Sequence, residues 1–457
     1  MGARRARRGS SSGRGNRRGL SRRDFLKLSG AGLAGAALLG AAGCSGGDEE
    51  QGGGVTNLVF SFGPDPSGNL QEVISRFNEE YQGEIQVEYR EMPSDTGEYF
   101  NQLRTELQAG ASPIDVIGGD VIWPAALAAN GWILPLSDRF TQQMRDRFVD
   151  AAIQSVTYNG DIWGMPFFTD AGLMYYRSDL LEEAGFSNPP ETWDELKDMA
   201  LETKEKTGTE NGFVFQGAEY EGGVVDGLEY IWTHGGEVLQ TKEQQDVVAN
   251  NPDAIAGLRT ERSMIEDGVA PVAVTIYKEP ETHAIFLNGD AVFCRNWPYM
   301  YGLAGDPAAS QITTDQLGIA PMPHAPGQQT ASGLGGWNLY LNAASEDKAD
   351  AAWEFMTFAA SPEIARFRAI EAGFLPPLQA LYEEQSIIEK VPVASFARQA
   401  LDNARPRPVS PFYSDLSIVM AAQFSRSLQG NAVPEQAAQA LQTEMQNIID
   451  LGERLIV

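Results

Sequence analysis

The chain predicts an α/β fold of parallel strands covered by helices, and three observations carry that prediction. From residue 55 onward the hydrophobic period alternates between two and 3.6 residues. Segments of the two types follow one another as strand, helix, strand, helix, strand, the order that a parallel sheet with helical cover requires. Sharp helix caps recur later, and no fixed-period repeat runs through the chain, which excludes solenoids and propellers.

The elements follow in order. Leu58-Val59-Phe60-Ser61-Phe62 is a short apolar strand ended by Gly63-Pro64. Leu70, Val73, Ile74, Phe77 and Tyr81 fall on one face of a helix, and Ile85, Val87 and Tyr89 alternate as a half-buried strand. A helical stretch from about Tyr99 to Gln108 leads to a buried strand over Ile114 to Gly118, with Asp120 and Trp123 just beyond it. Thr192-Trp193-Asp194-Glu195 has the spacing of a capping box, in which side chains and backbone amides satisfy each other. Ser361-Pro362 starts another helix and Gly373 stops it. Asp347–Ala360 carries Ala351, Ala352, Phe355, Met356 and Ala359 on one face, and Pro434–Leu455 closes the chain as a helix.

The 457 residues include 34 basic and 62 acidic ones, a balance of −28. Residues 1–44 hold ten basic residues and one acid, so the remainder has 24 against 61, or −37. So acidic a body repels phosphate backbones and carries no basic stripe, which excludes nucleic-acid binding. With Cys44 and Cys294 alone there is no disulfide scaffold.

The N-terminus reads as an address. Ser21-Arg22-Arg23-Asp24-Phe25-Leu26-Lys27 resembles a twin-arginine export signal, and the apolar run Leu28 to Gly43, at 16 residues, falls short of the roughly 20 that a transmembrane helix needs. Leu39-Gly40-Ala41-Ala42-Gly43-Cys44 looks like a lipobox with Cys44 as the lipidated residue, although Ala41 stands where leucine is usual. Residues 45–54, with five glycines and three acids, form a flexible linker. Together they imply an extracytoplasmic protein tethered to the outer face of the cell membrane.

Metal and nucleophile chemistry find no support. His234, His283 and His324 are isolated, no His-Glu-x-x-His or Gly-x-Ser-x-Gly occurs, and Gly333-Leu334-Gly335-Gly336 lacks the Gly-Lys-Ser/Thr ending of a phosphate loop. No cofactor is implied. A secreted glycoside hydrolase stays open as an alternative, since it needs only two carboxylates about 5–10 Å apart. What stands out is a set of aromatic and acidic clusters. They are Asp120 with Trp123, Pro166-Phe167-Phe168-Thr169-Asp170, Arg295-Asn296-Trp297-Pro298-Tyr299-Met300-Tyr301, and Gly335-Gly336-Trp337-Asn338. Carboxylates and amides serve vicinal hydroxyls, an aromatic face covers the C–H patch of a pyranose, and glycine lets a ligand approach the backbone. Taken alone, each cluster reads more readily as core aromatics and solvated loop acids than as a sugar site.

In order and at these spacings, the clusters resemble the carbohydrate-binding proteins of ABC importers, above all the trehalose/maltose-binding branch of the family 1 extracellular solute-binding proteins. The motifs are Asp115–Trp123, Asp170–Arg177 with Asp179-Leu180-Leu181, Pro189–Leu196, Gly289–Phe293 with Arg295–Tyr299, Gly335-Gly336-Trp337 and Ala404–Pro411. The resemblance implies a two-lobed, maltose-binding-protein-like fold of type II, with ligand in the cleft and hinge closure around it. Its lobes would be 55–168 plus 340–404 and 172–335 plus 408–457, with crossings near 169–171, 336–339 and 405–407. Carried over by position, Asp120 and Asp170 accept sugar hydroxyls, Trp297 and Tyr299 stack, Gly335 or Gly336 offers an amide beside Trp337, and Arg407 reaches in from the last crossing. Tyr220 is a wall residue. Asp65 or Asn69, in the 63–69 loop, stands in for the acid that sugar binders of this branch carry there. The function implied is non-catalytic: capture of a sugar such as trehalose or maltose, or of another oligosaccharide or polyol, by a monomer that delivers it to the permease. Presentation of the closed form to a sensor is a further possibility.

Overall fold

The first apolar run forms β1 (Thr56–Phe62), with Leu58 and Phe60 fully buried beneath the helices that follow. In this computed structural model residues 54–65, 68–110, 112–241 and 245–456 are described; the export signal, Cys44 and the linker as far as residue 53 lie outside them. Strand β2 (Ile85–Glu91) runs parallel to β1 from Thr56↔Ile85 to Phe62↔Glu91, and β3 (Val116–Asp120) pairs with β1 in parallel through Phe60↔Val116. The intervening helices are Asn69–Glu80 and Thr96–Gln108. Strand β3 begins later than the sequence pattern predicts because Asp115 enters the ladder with its side chain: its carboxylate accepts the Val59 amide at 2.8 Å and also takes Ser345 and Lys348. At its other end β3 runs on through antiparallel pairing with 337–341, Asp120 opposite Trp337, so Asp120 is the last residue of the strand and not a residue beyond it.

Strands β4 (Met165–Ala171) and β5 (Leu173–Arg177) are separated by Gly172 alone, and the chain changes sheets there. Strands β6 (Asn211–Val214), β7 (Ala291–Asn296) and β8 (Leu317–Ala320) complete a second sheet in the order β8-β5-β7-β6, with β6 parallel to β7 and β5 antiparallel to both β7 and β8. The chain returns through β9 (Ser332–Leu341), which is antiparallel to β3 and β4, and short β10 (Ala404–Arg405) pairs with Ser332 and Gly333. Since Leu334 already pairs with Ala171, the stretch 336–339 lies inside the first sheet and the passage between sheets falls nearer 332–333. The crossings are tied together: the Gly172 amide donates to the Gly333 carbonyl at 3.3 Å, and Ser332 Oγ donates to the Gly172 carbonyl at 2.8 Å.

Each sheet has its own aromatic core. In the first lobe the Phe355 ring lies 5.1 Å from those of both Phe60 and Phe77, so the helix Ala349–Ala359 and the helix Asn69–Glu80 close over β1. In the second, Trp193 stacks on Tyr230 at 4.3 Å. Trp193 is delivered by the capping box, in which Thr192 Oγ1 accepts the Glu195 amide and Glu195 accepts the Thr192 amide. The helices Pro362–Ala372 and Pro434–Ile456 lie where the sequence places them, the first capped by Ser361 and ended by Gly373 at φ 72°. Cys294 is a buried free thiol inside β7. Among the described residues no helix is long and apolar enough to cross a membrane.

Candidate ligand-binding site

A cavity of about 650 Å³ opens between the two sheets, walled by residues from both. That volume falls within the usual range for small-molecule sites. Nine of the ten ligand residues expected from the sequence line it: Asp120, Asp170, Tyr220, Trp297, Tyr299, Gly335, Gly336, Trp337 and Arg407. Asp65 is not among them. Its carboxylate accepts the Leu70 amide at the start of the helix Asn69–Glu80, and Pro64 forms the wall at that point. An acid beside a helix start is stabilised there by the exposed amides, and that use competes with a ligand.

Strand ends position the polar groups. Asp120 faces Trp337 across the β3–β9 pair, and Asp170 faces Gly335 across β4–β9. Asp120 Oδ1 accepts the Ile122 amide at 3.1 Å and Arg407 Nη2 at 3.0 Å. Arg407 Nη1 in turn donates to Glu221 Oε1 at 2.7 Å, and Glu221 also accepts Tyr413 Oη and Ser417 Oγ. A buried chain, Asp120–Arg407–Glu221, thus joins the end of β3 in the first lobe to the first residue of the helix Glu221–Thr233 in the second. Burial alone would lower the Arg407 pKa, but Asp120 and Glu221 raise it and keep the guanidinium charged. Burial lifts the Asp120 carboxyl above the usual range, Arg407 opposes that shift, and Glu221 adds to it.

Two polar groups remain for a ligand. Arg407 Nε is buried and, among the described residues, has no hydrogen-bond partner. Asp170 lines the cavity floor, and among the described residues its carboxylate makes no hydrogen bond; burial pushes its pKa up to about 8, against a lowering influence from Arg368. Arg368 is itself buried against Phe167, its guanidinium carbon 3.5 Å from that ring centroid. Burial brings its pKa down to about 9, although Asp65 and Asp170 work to raise it.

Aromatic faces surround these groups. Trp297 and Tyr299 follow β7, and both are half-buried. Trp297 Nε1 donates to Glu279 Oε1 at 3.4 Å, and Tyr299 Oη pairs with His283 Nδ1 at 2.9 Å. Burial and the nearby Glu279 raise the Tyr299 pKa, while burial lowers that of His283, so both are neutral at pH 7. Across the cavity Trp337 leans on Phe62 at 4.9 Å, and Phe168 meets Phe374 at 4.5 Å. Trp123, by contrast, is 1% exposed and belongs to the core. Gly336 must be glycine: its φ is 113°, and a Cβ there would lie 2.5 Å from the Phe168 carbonyl oxygen.

Sequence reasoning missed Glu221, Lys278, Glu279 and Phe374, all on the cavity wall. Tyr220 Oη donates to Glu279 Oε2 at 2.7 Å while Lys278 Nζ sits 4.8 Å over the Tyr220 ring and 3.5 Å from Asp95 of the first lobe. The signals available were Glu219-Tyr220-Glu221-Gly222, noticed only for Tyr220, and Lys278-Glu279-Pro280, which has no aromatic of its own to mark it.

Two lobes on separate sheets, three tied crossings and a cavity lined from both sides define a hinged solute-binding protein. The model of the family described as bacterial extracellular solute-binding protein matches residues 63–366, and the chain belongs to that family. Its members are extracytoplasmic binding proteins and not enzymes. A Deinococcus radiodurans relative named "Probable ABC transporter-binding protein" is 31% identical over 373 residues, covering 80% of this chain and 87% of that one. The structure of maltose-bound MalE3 from T. maritima is 35% identical with a TM-score of 0.79, covering 86% of this chain and all of its own. A maltotriose-binding protein of Pyrococcus abyssi is 25% identical over 350 residues, covering 75% of this chain and 71% of that one.

Proposed function

We propose that this protein is the lipid-anchored capture subunit of a carbohydrate ABC importer, and that it binds an α-glucosidic disaccharide such as maltose or trehalose by hinge closure. The observation that carries the reading is the cavity's pairing of facing aromatic side chains with two unpartnered polar groups, the Asp170 carboxylate and Arg407 Nε–H. One accepts from a hydroxyl, the other donates to a hydroxyl or ring oxygen, and the aromatic faces cover the sugar's C–H surfaces. The maltose and maltotriose named for two relatives support the choice of sugar. Cys44 would carry the lipid, and residues 45–54 would let a monomeric body swing to the permease. On this reading one lobe is built on β1–β3, the other on β5–β8, and ligand contact with both favours the closed form.

Calorimetric titration with maltose, trehalose, sucrose and glucose tests the proposal. One-to-one binding of a disaccharide at micromolar affinity or better, with the sugar recovered intact after overnight incubation, is expected. Silence across the panel, or hydrolysis, would defeat it.

Affinity should also depend on pH through Asp170, whose carboxyl in the free protein titrates at about 8. A sugar hydroxyl donating to the anion favours the deprotonated form, so binding releases a proton below pH 8. Affinity is expected to rise toward pH 8, by up to about tenfold per unit, and then level off. Titrations in two buffers of different ionisation enthalpy should show the proton release at pH 7, and Asp170→Asn should abolish it. A flat profile from pH 6 to 9 would remove Asp170 from the contact.

A further inference from the structure

Trp297 has a cation behind it. Arg295, at 1% exposure, is not part of the cavity wall, yet its guanidinium carbon lies 4.2 Å from the Trp297 ring centroid. The guanidinium is held along its edges: Nε and Nη2 donate to the two oxygens of Glu229 at 2.8 and 2.7 Å, and Nη1 donates to Gln216 at 3.1 Å. Asp226 Oδ1 lies 2.9 Å from Arg295 Nε and adds a second buried carboxylate. A planar fork fixed in this way leaves its face free to lie against an indole, which a lysine cannot reproduce.

Glu229 also touches the hinge. Its Oε1, the atom bound to Arg295, accepts the Gly333 amide at 2.8 Å. It lies so close to Gly172 that a Cβ there would be 2.1 Å from Oε1 and 2.4 Å from Arg295 Nη2. Two of the crossings between the sheets, at Gly172 and Gly333, therefore abut one buried ion pair, and that pair abuts the Trp297 ring on the cavity wall. Replacing a buried ion pair with apolar groups is often neutral for stability, so its presence here calls for a positional role.

We propose that Arg295 and Glu229 are positioning residues that hold the Trp297 ring as a sugar platform and fix it against the hinge strand, so that platform and crossings move as one unit on closure. This rests on the reading of Trp297 as a sugar contact. Stacking a sugar on Trp297 then tightens the Gly333 hydrogen bond without any ligand atom reaching Arg295 or Glu229.

The test is a double-mutant cycle with the disaccharide bound most tightly among maltose, trehalose and sucrose. Arg295→Lys in the full chain is expected to weaken binding at least tenfold, with little further loss when added to Trp297→Ala. An equal loss in both backgrounds, or none in either, would overturn the proposal, since a merely structural arginine acts independently of the ring. Full affinity in Trp297→Ala alone, or silence with all three sugars, would instead remove the reading on which it rests. Should Arg295→Lys fail to fold, amide exchange at Gly333 carries the test. The sugar should slow that exchange at least tenfold in the wild type and not in Trp297→Ala at matched saturation; equal slowing in both would overturn the coupling.

Discussion

Arg407→Met is expected to destabilise the protein by about 3–5 kcal/mol and to abolish tight sugar binding. The stability figure follows from removing one partner of a buried charge pair, which leaves the other charge uncompensated in a poorly solvated site. Here two carboxylates are left: Asp120 and Glu221 both bond to Arg407, and their side chains are only 10% and 17% exposed. Methionine fills much of the volume but donates to neither. On the proposed reading the loss of Nε–H also removes a donor to the sugar. The deficit should depend on pH with a definite sign. Burial already raises the Asp120 carboxyl above its unfolded value, and Arg407 is the largest opposing influence, so the variant's Asp120 pKa is pushed higher still. A carboxyl whose folded pKa is raised costs stability progressively as pH climbs from the unfolded value through the folded one. The gap between variant and wild type should therefore be widest near pH 8 and narrow toward pH 4. Urea unfolding at pH 5 and pH 8 measures both points. A loss below about 1 kcal/mol at pH 8 would mean that the chain of charges is not a structural tie. Arg407→Lys should recover part of the stability and little of the affinity, because one ammonium cannot bridge two carboxylates and also present a side donor.

The same triad shows what the sequence could and could not reveal. Asp120 and Arg407 were legible because each sits in a recognisable motif, at a strand end and beside a proline-rich crossing. Their partner Glu221 was not, since a glutamate at the first position of a helix is explained well enough by the helix terminus. Its second use depends on bringing residues 120, 221 and 407 to one point, which no local pattern encodes. Asp65 is the converse. An acid in a glycine- and proline-rich loop resembled a ligand residue, but the Leu70 amide takes its carboxylate. Trp123 and Trp337 each read alone as core residues; only packing separates them, with Trp123 buried by Tyr99 and Phe100 while Trp337 keeps one side on the cavity. The positions of β1, β2 and β3 were readable from periodicity to within a few residues, whereas β4–β10 were not, because strands buried on both faces or only two residues long show no alternation. The passage between sheets was placed too late because nothing in Gly333-Leu334-Gly335-Gly336 marks where pairing with β4 begins.

Trp297→Ala is expected to weaken disaccharide binding by about thirtyfold, or roughly 2 kcal/mol, the loss typical when a central aromatic anchor is truncated. Three features make Trp297 the anchor and not one aromatic among several. It is half-buried, so little of its ordering is left to occur on binding. Glu279 holds its N–H at 3.4 Å and Arg295 covers one face, which leaves the ring one orientation toward the cavity. It also belongs to the second lobe, so a sugar stacked on it and bonded to Asp170 of β4 must bring the lobes together. Trp297→Phe keeps a flat face while losing the donor to Glu279, part of the stacking area and some of the attraction to Arg295, so it should cost less than alanine. Trp123→Ala provides the contrast. As a core residue it should lower stability by about 3–5 kcal/mol, with affinity measured below the melting transition changed much less. Calorimetry beside thermal unfolding separates the two outcomes: Trp297 should govern affinity and Trp123 stability. If Trp297→Ala binds sugar as the wild type does, the stacking surface must be sought among the other aromatics on the cavity wall, Tyr299 in the second lobe and Phe168, Trp337 and Phe374 in the first.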